Sequence, residues 1–440
     1  MTCSLEQKAA KNPMNILDLQ PFEISFIRPP TENYSLAFRL TRNCYWNKCA
    51  FCPVYKTGER FSRRTIDEVK NDIDHARVID DFLFERGFGI PVYSESDFSR
   101  AGALIEEIQR ARWEAGYLDH GDDEEQDGPS DPRLDWFRPW FKKKAGMRDC
   151  INHLISWRIG GAKTCFFGDA DSLILRPDFL AQAIGAARRA FPSLERFTVY
   201  GRTSTAARQR TVKELRQFAK AGLDRVHFGL ESGSDAVLAL VDKGVTATEH
   251  LRGCLKIKEA GLSCSVYVMP GLGGAGLSVE NAEQTARVIN EIGPDFVRVR
   301  SLEVFPGSLL EQKRDRGEFI EAAEPAVVRE IRTLVEQIAA PVTLISDSAS
   351  NLLSVSGRLP DDRNGMLAEI DAFLSLSPRE QIEFSLRSRL QSFYGQYGYI
   401  SQDIIRELEP HIDQGNIIFS SLDDSVMLHI IALIRSKLMP

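Results

Sequence analysis

The feature that most limits the possible folds is a regular alternation of short apolar runs and amphipathic helices from residue 163 onward. The apolar runs have the length of buried strands and lie at 164–167, 196–200, 225–228, 264–268 and 295–299. Gly222 and Gly261 follow two of the intervening helices, where a C-terminal glycine is favoured. Such alternation indicates a parallel sheet with right-handed crossovers. With an earlier strand at 35–41, the sequence predicts six β/α units, as an open doubly wound sheet or a partial barrel.

The parts of the chain that flank this pattern differ in composition. Residues 1–32 are predicted to be an N-terminal arm, residues 33–310 to hold the strand–helix core, and residues 311–440 to be mostly helical. A helical insertion at about 85–158 interrupts the core and contains an acidic run at 118–132. We expect this run to be a surface loop, with metal binding by its carboxylates as the alternative.

A group of cysteines gives the clearest indication of chemistry. Of the eight cysteines, Cys44, Cys49 and Cys52 fall within nine residues, directly after the strand at 35–41. Three thiolates on a tight loop can each bind one iron of a cubane cluster and leave the fourth iron open, whereas electron-carrying clusters normally have four cysteine ligands. A zinc site is the main alternative, although the nearest downstream histidine, His75, has no histidine partner at a ligand spacing.

Composition and charge limit the partners and the location. The chain is 43% hydrophobic and 27% charged with a net charge of −7, which is ordinary for a soluble protein and argues against a general nucleic-acid surface. Basic clusters at 208–210 and 142–144 are interpreted as solvated helix faces. No apolar stretch approaches the ~18 residues of a membrane span, and the N-terminus has no apolar core of a secretory signal. We therefore expect a cytoplasmic protein with reduced thiols.

The cysteine loop resembles that of the radical SAM superfamily. In that family a strand leads into C-x3-C-x2-C, with an aromatic residue just before the third cysteine. Phe51 occupies the aromatic position here, whereas four residues separate Cys44 from Cys49. The resemblance covers residues 33–310 apart from the insertion, and the strand motifs are broadly similar to the oxygen-independent coproporphyrinogen oxidase branch. It implies an α/β fold with a partial (β/α)6 barrel, one [4Fe-4S] cluster on the three cysteines, and S-adenosylmethionine (SAM) as cofactor.

The resemblance also implies SAM contacts at Phe51, in the cysteine loop, and at the ends of the second, third and fourth strands. Gly168 and Asp169 take the place of a GGE-like turn that binds the amino group of SAM. Arg202 suits a bidentate grip on the methionyl carboxylate. Glu231 resembles the residue that accepts hydrogen bonds from the ribose hydroxyls. A helix cap, a salt bridge and a carboxylate at a helix N-terminus are the respective structural alternatives.

The later strand ends carry two further contacts. Gly271 begins a glycine-rich turn at 271–276 that fits a close approach to adenosine. The same turn matches G-x-G-x-x-G, but a dinucleotide fingerprint belongs to the first β/α turn of its fold. Arg300 is expected near the adenine or the substrate. A possible strand at 341–345 is followed by a polar stretch at 346–351, which is interpreted as a substrate-pocket segment or a capped loop.

The function implied by the resemblance is reductive cleavage of SAM. The resulting 5′-deoxyadenosyl radical would abstract hydrogen from an unidentified small-molecule, peptide or RNA substrate, with electrons from an external donor of the flavodoxin or ferredoxin type. No residue is assigned to catalysis on the substrate. A zinc-stabilised binding module and a nucleotide-dependent oxidoreductase that uses the 271–276 turn remain as alternatives.

Overall fold

The computed structural model describes residues 14–56, 60–89, 95–117 and 145–438. The acidic run at 118–132 and the basic cluster at 142–144 lie outside these residues. Within them, no helix has both the length and the apolar character that a membrane crossing requires.

The strands form one large sheet and two short ribbons. In chain order they are β1 (Leu36–Arg39), β2 (Thr41–Arg42), β3 (Ser62–Arg63), β4 (Thr164–Gly168), β5 (Arg196–Gly201), β6 (Arg225–Glu231), β7 (Ser263–Val268), β8 (Phe296–Val299), β9 (Val342–Ile345), β10 (Gly357–Leu359), β11 (Ile412–Asp413) and β12 (Asn416–Ile417).

The helices follow the strands in nearly every β/α interval. They are α1 (Ile66–Glu85), α2 (Glu95–Glu114), α3 (Met147–Ile159), α4 (Pro177–Ala190), α5 (Thr203–Gln209), α6 (Val212–Ala221), α7 (Asp235–Leu240), α8 (Ala247–Glu259), α9 (Ser278–Ile292), α10 (Leu309–Asp315), α11 (Glu324–Gln337), α12 (Arg363–Leu374), α13 (Pro378–Tyr397), α14 (Gln402–Leu408) and α15 (Asp424–Arg435).

The large sheet has the order β1-β4-β5-β6-β7-β8-β9-β10. Every pair from β1 to β9 is parallel, and only β10 runs antiparallel to its neighbour. The strands follow one another in chain order without a reversal, as in a barrel, but β1 and β10 do not pair with each other. The sheet is therefore a partial barrel. The predicted fold class is confirmed, including the six β/α units, and the extra strand predicted after residue 340 is β9.

Local sequence explains where these helices begin and end. Thr211 and Thr246 each form a capping box with the glutamate three residues later, which satisfies N–H groups at the first turns of α6 and α8. Gly222 ends α6 in the left-handed conformation with φ 103°, as the glycine signal predicts. The apolar faces of the helices then pack on a sheet whose central side chains are fully buried.

Aromatic side chains fill the concave side of the sheet. The rings of Phe166 and Tyr200 are 5.0 Å apart, those of Tyr200 and His227 are 6.0 Å apart, and those of His227 and Tyr267 are 6.3 Å apart. These contacts connect four neighbouring strands, β4 to β7. The aromatic layer closes the interior of the barrel below the carboxyl ends of the strands.

The C-terminal helices have a small core of their own and an ionic link to the sheet. Leu386, Phe393 and Ile430 belong to that separate apolar cluster. Arg435 of α15 donates to the Glu303 carboxylate at 2.8 Å, and Arg389 of α13 lies 3.5 Å from the other oxygen of the same carboxylate. This link brings the helical segment to the rim of the barrel.

Candidate active site

A cavity of about 190 Å³ lies at the carboxyl ends of the parallel strands. Tyr200, Glu231, Tyr267 and Arg300 reach it from the ends of β5, β6, β7 and β8. Parallel barrels place their reactive groups at this end, because the β/α loops converge there. The position of the cavity therefore agrees with the predicted location of the active site.

All three clustered cysteines line this cavity. Burial, together with the nearby Cys49, raises the pKa of the Cys52 thiol to about 11. Three thiols on one cavity are a suitable donor set for a positively charged iron group, which would stabilise all three as thiolates. Among the described residues, no three His, Cys, Asp or Glu side chains converge as ligands of one metal ion. A cluster that takes each sulfur on a different iron fits this spread better than a single zinc ion does.

The cysteine loop is held by the loop that follows α7. The amide N–H of Ala50 donates to the carbonyl of Val241 at 2.8 Å, and Trp46 Nε1 donates to the carbonyl of Asp242 at 2.7 Å. Gly244 has φ +70°, and a Cβ built there would lie 2.1 Å from the Trp46 ring. Only glycine allows the indole to approach this closely.

Asp169 ties the cysteine loop to the barrel from behind the cavity. Its carboxylate accepts hydrogen bonds from Arg39 at 2.9 Å, from the Asn43 amide at 3.1 Å and from the Tyr55 hydroxyl at 3.1 Å. Burial raises the pKa of Asp169 although Arg39 opposes that effect. Asn43 directly precedes the first cysteine and Tyr55 follows the third by three residues, so one carboxylate fixes both ends of the loop.

A buried ion pair stands beside the cysteines. Lys243 Nζ donates to Glu231 Oε1 at 2.7 Å and lies 5.5 Å from the centre of the Phe51 ring. The Lys243 carbonyl in turn accepts from Arg202 Nη2 at 2.7 Å. Burial lowers the pKa of Arg202, but the nearby acidic groups, Cys49 foremost, together outweigh it and hold the pKa above its usual range. Lys243 thus holds two of the predicted SAM contacts, Glu231 through its side chain and Arg202 through its carbonyl.

The structure brings most of the predicted site residues to this one cavity. Those that line it are Cys44, Cys49, Cys52, Phe51, Arg202, Glu231 and Arg300. Ser350, from the polar stretch after β9, lines it as well.

The predicted residues Gly168, Asp169 and Gly271 do not line the cavity. A Cβ at Gly168 would meet the Ser25 side chain of the N-terminal arm at 1.8 Å. The Gly271 amide donates to Glu330 of α11 at 3.1 Å. Ala170, which follows Asp169, lines the cavity instead.

The polar cavity residues that sequence reasoning missed include Lys243, Tyr200 and Tyr267. Each tyrosine lies one residue before the last position of its strand, β5 or β7, on the inward face, so the alternation of the strands carried a signal for them. Lys243 lies in a loop, and nothing in the local pattern distinguishes it from a solvated lysine.

Comparison with known proteins identifies the family of one segment. The model of the Radical SAM superfamily matches residues 144–288, which run from α3 to α9. Over this segment the chain is a match to the radical SAM superfamily. The matched segment contains four of the strands whose ends line the cavity or back it, whereas the cysteine loop precedes it. The match supports an enzyme, and the matched family implies an iron–sulfur cluster and SAM.

Individual relatives match the chain only in part. A tRNA uridine(34) acetyltransferase of Methanocaldococcus infernus is 28% identical over 154 residues, which are 32% of this chain and 29% of that protein. The corresponding protein of Methanocaldococcus jannaschii is 27% identical over 154 residues, 32% of this chain and 28% of its own length. The match thus spans less than a third of these relatives.

A solved structure of archaeal Methanocaldococcus infernus Elp3 aligns with a TM-score of 0.37 at 18% identity, over 57% of this chain and 60% of that one. Coproporphyrinogen III oxidase (HemN) from Escherichia coli aligns with a TM-score of 0.34 at 12% identity, over 62% and 77% of the two chains. The broad similarity to the coproporphyrinogen oxidase branch stays a prediction.

Proposed function

We propose that the chain reductively cleaves SAM with a [4Fe-4S] cluster held by Cys44, Cys49 and Cys52. The observation that carries the proposal is that these three thiols share one cavity with Arg202 and Glu231 at the carboxyl ends of the strands. When bound, the cluster would supply the electron that splits SAM into methionine and a 5′-deoxyadenosyl radical, which abstracts hydrogen from the substrate. An external donor of the flavodoxin or ferredoxin type would deliver that electron.

The residues around the cysteines would bind and orient SAM. Arg202 lies among the thiols with its guanidinium fixed by the Lys243 carbonyl, and it would hold the methionyl carboxylate. Glu231 has one oxygen on Lys243, and its other oxygen would accept from the ribose hydroxyls. Phe51 would pack against the cofactor beside the third cysteine. The amino group of SAM would meet the wall at Ala170, since both oxygens of Asp169 are already hydrogen-bonded.

The dinucleotide alternative is disfavoured by the 271–276 turn itself. A pyrophosphate needs free N–H groups at the helix that follows such a turn. Here the Glu330 carboxyl accepts from the Gly271 amide at 3.1 Å, from Ser278 at 2.6 Å and from Asn281 at 2.7 Å. An acidic group that occupies the anion position argues against a phosphate ligand there. Gly271 instead packs beside Leu302, which lines the cavity.

The test is anaerobic reconstitution with iron and sulfide, reduction with dithionite, addition of SAM and detection of 5′-deoxyadenosine. We expect about four irons per chain and product formation in the wild type. Alanine at Cys44, Cys49 or Cys52 should abolish both, whereas Cys254→Ala, a buried cysteine of α8, is the matched control. Stoichiometric zinc without iron–sulfur absorption would refute the proposal in favour of the zinc-stabilised module.

RNA is a candidate substrate because the curated relatives are named for tRNA uridine(34). The acidic net charge predicts no general nucleic-acid surface, and the relatives do not support that prediction. A local contact surface would suffice for one RNA. We expect tRNA to raise the rate of 5′-deoxyadenosine formation if RNA is the substrate, and a rate unchanged by tRNA would exclude this candidate while leaving SAM cleavage intact.

A further inference from the structure

The side of the cavity formed by β5, β7 and β8 carries an unusual set of donors. We call Tyr200, Tyr267, Arg298 and Arg300 the inner wall. Tyr267 and Arg298 are register partners on adjacent strands, and both arginines act on the hydroxyl groups of Tyr200 and Tyr267. Tyr200, Tyr267 and Arg300 line the cavity, whereas Arg298 is buried beside Tyr267 and does not line it.

Several donors of the inner wall have no acceptor within the described part of the chain. Arg298 is 1% exposed, and its Nη1 makes no hydrogen bond. The Tyr267 hydroxyl, although close to that of Tyr200, has no hydrogen-bond partner of regular geometry. The Arg300 side chain forms no ion pair or hydrogen bond with any described residue. Buried donors without a partner are rare in native proteins and indicate a water, an ion or a ligand.

The charge of the inner wall is positive. Asp347 is the counterion nearest to Arg298, but its Oδ2 is 3.6 Å from Nη1 and its side chain is 29% exposed. Burial raises the pKa of both Tyr200 and Tyr267, so their hydroxyls stay protonated at neutral pH. Two guanidinium groups and two neutral hydroxyls are therefore accompanied by one carboxylate, Asp347, which forms a loose ion pair with Arg298.

The other carboxylates near the inner wall are already engaged. Glu303 is bound by Arg435 at 2.8 Å and approached by Arg389 at 3.5 Å. Glu32, below His227, accepts from Arg196 at 2.9 Å. Both carboxylates are paired with other arginines, so a negatively charged group bound in the cavity would compensate the charge of the inner wall.

We propose that the inner wall binds an oxyanion group of the substrate, a carboxylate or a phosphate. Guanidinium groups and hydroxyls form short, charge-assisted hydrogen bonds with such groups. The carboxylate of SAM has a separate partner in Arg202, which lies among the cysteines. The assignment of this anion to the substrate rests on the proposed function, whereas anion binding itself does not.

The test measures anion binding with the SAM position filled. Reconstituted, unreduced protein saturated with SAM is titrated with inorganic phosphate or with acetate at constant ionic strength, and saturable thermal stabilisation gives the Kd. Crystals soaked in selenate or bromoacetate locate the anion. We expect Arg300→Gln to weaken binding at least about tenfold and Tyr267→Phe about three- to tenfold. Arg316→Gln, an exposed arginine paired with Glu318, should leave the Kd unchanged.

The outcomes separate this proposal from SAM cleavage. The anion that binds more tightly identifies the group as phosphate or carboxylate. No saturable binding of either anion, or an equal Kd in wild type, Arg300→Gln and Tyr267→Phe, overturns the oxyanion site. If the wild type then still forms 5′-deoxyadenosine, the proposed function stands alone. Anion binding without 5′-deoxyadenosine would leave the oxyanion site and remove the proposed function.

Discussion

Replacement of Asp169 by alanine should destabilise the fold and the cysteine loop together. The side chain makes three hydrogen bonds, with Arg39, the Asn43 amide and the Tyr55 hydroxyl, from a position that is 4% exposed. Alanine leaves these donors without an acceptor, at a cost of about 1–3 kcal/mol each where they stay buried. Arg39 is partly exposed and can hydrate. We therefore expect a loss of about 3–5 kcal/mol in the free energy of unfolding.

Asparagine at the same position separates charge from shape. Its carbonyl can still accept from the Asn43 amide and Arg39, while the Tyr55 hydroxyl can rotate to accept from the new amide. Only the charge assistance is lost, which corresponds to about 1–2 kcal/mol. Asp315→Ala is the matched control, because Asp315 is 61% exposed and its pair with Arg314 should contribute less than about 1 kcal/mol.

The assay for Asp169 is urea unfolding of the metal-free protein, with iron per chain measured after reconstitution. We expect the order wild type, Asp169→Asn, Asp169→Ala in both stability and iron content. Wild-type stability in Asp169→Ala would refute the reasoning. So would an Asp169→Asn protein that loads iron and unfolds normally but binds SAM poorly, since this pattern belongs to a carboxylate that contacts the cofactor directly.

Further predictions concern a glycine, a carboxyl group and an ion pair. Gly244→Ala should lower iron loading, because its Cβ would overlap the Trp46 indole ring 2.1 Å away. Gly261→Ala is the control, since Gly261 also has a positive φ but lies in open space; urea unfolding of this variant measures the backbone cost alone, about 1–2 kcal/mol. Burial raises the pKa of Glu330 to about 7, so its contribution to the free energy of unfolding is largest below pH 4.5 and is lost as pH rises through 7. Relative to the wild type, Glu330→Gln should therefore gain about 2–3 kcal/mol in the free energy of unfolding between pH 4.5 and 9. A stability difference that stays constant with pH would contradict this. Lys243→Met should cost about 3 kcal/mol by leaving a buried carboxylate unpaired, and Lys243→Met with Glu231→Gln should recover most of it, which chemical denaturation of both variants would measure.

The sheet was predictable because its information is local. Each strand is a short apolar run between amphipathic helices, and the parallel order follows from that alternation. The convergence of Arg202, Glu231 and the cysteines could be anticipated for the same reason, since the ends of parallel strands meet at one edge. These inferences needed only the period of the pattern and the position of polar residues after it.

The orientation of Asp169 could not be predicted, because it depends on pairing between distant segments. Arg39 lies opposite Gly168 in the register of β1 and β4, and its guanidinium therefore forms an ion pair with the Asp169 carboxylate. This ion pair turns the carboxylate away from the cavity. Lys243 was missed for a similar reason. Its role arises from the packing of its loop on the cysteine loop, through the contact of Gly244 with Trp46, and no periodic pattern records that contact.

The helices after the sheet belong to the active site because they control the charge of Glu303. Burial raises the pKa of this cavity carboxyl to about 7, and the cations that oppose the shift are Arg435 and Arg389 of α15 and α13. All strands of the large sheet end before residue 360, so a barrel without these two helices would retain its sheet but lose both cations. The two arginines favour the ionised form of Glu303 against the effect of its burial. The C-terminal segment therefore sets the charge of the cavity beside Glu303, separately from the positive inner wall, and gives a substrate two chemically different surfaces to recognise.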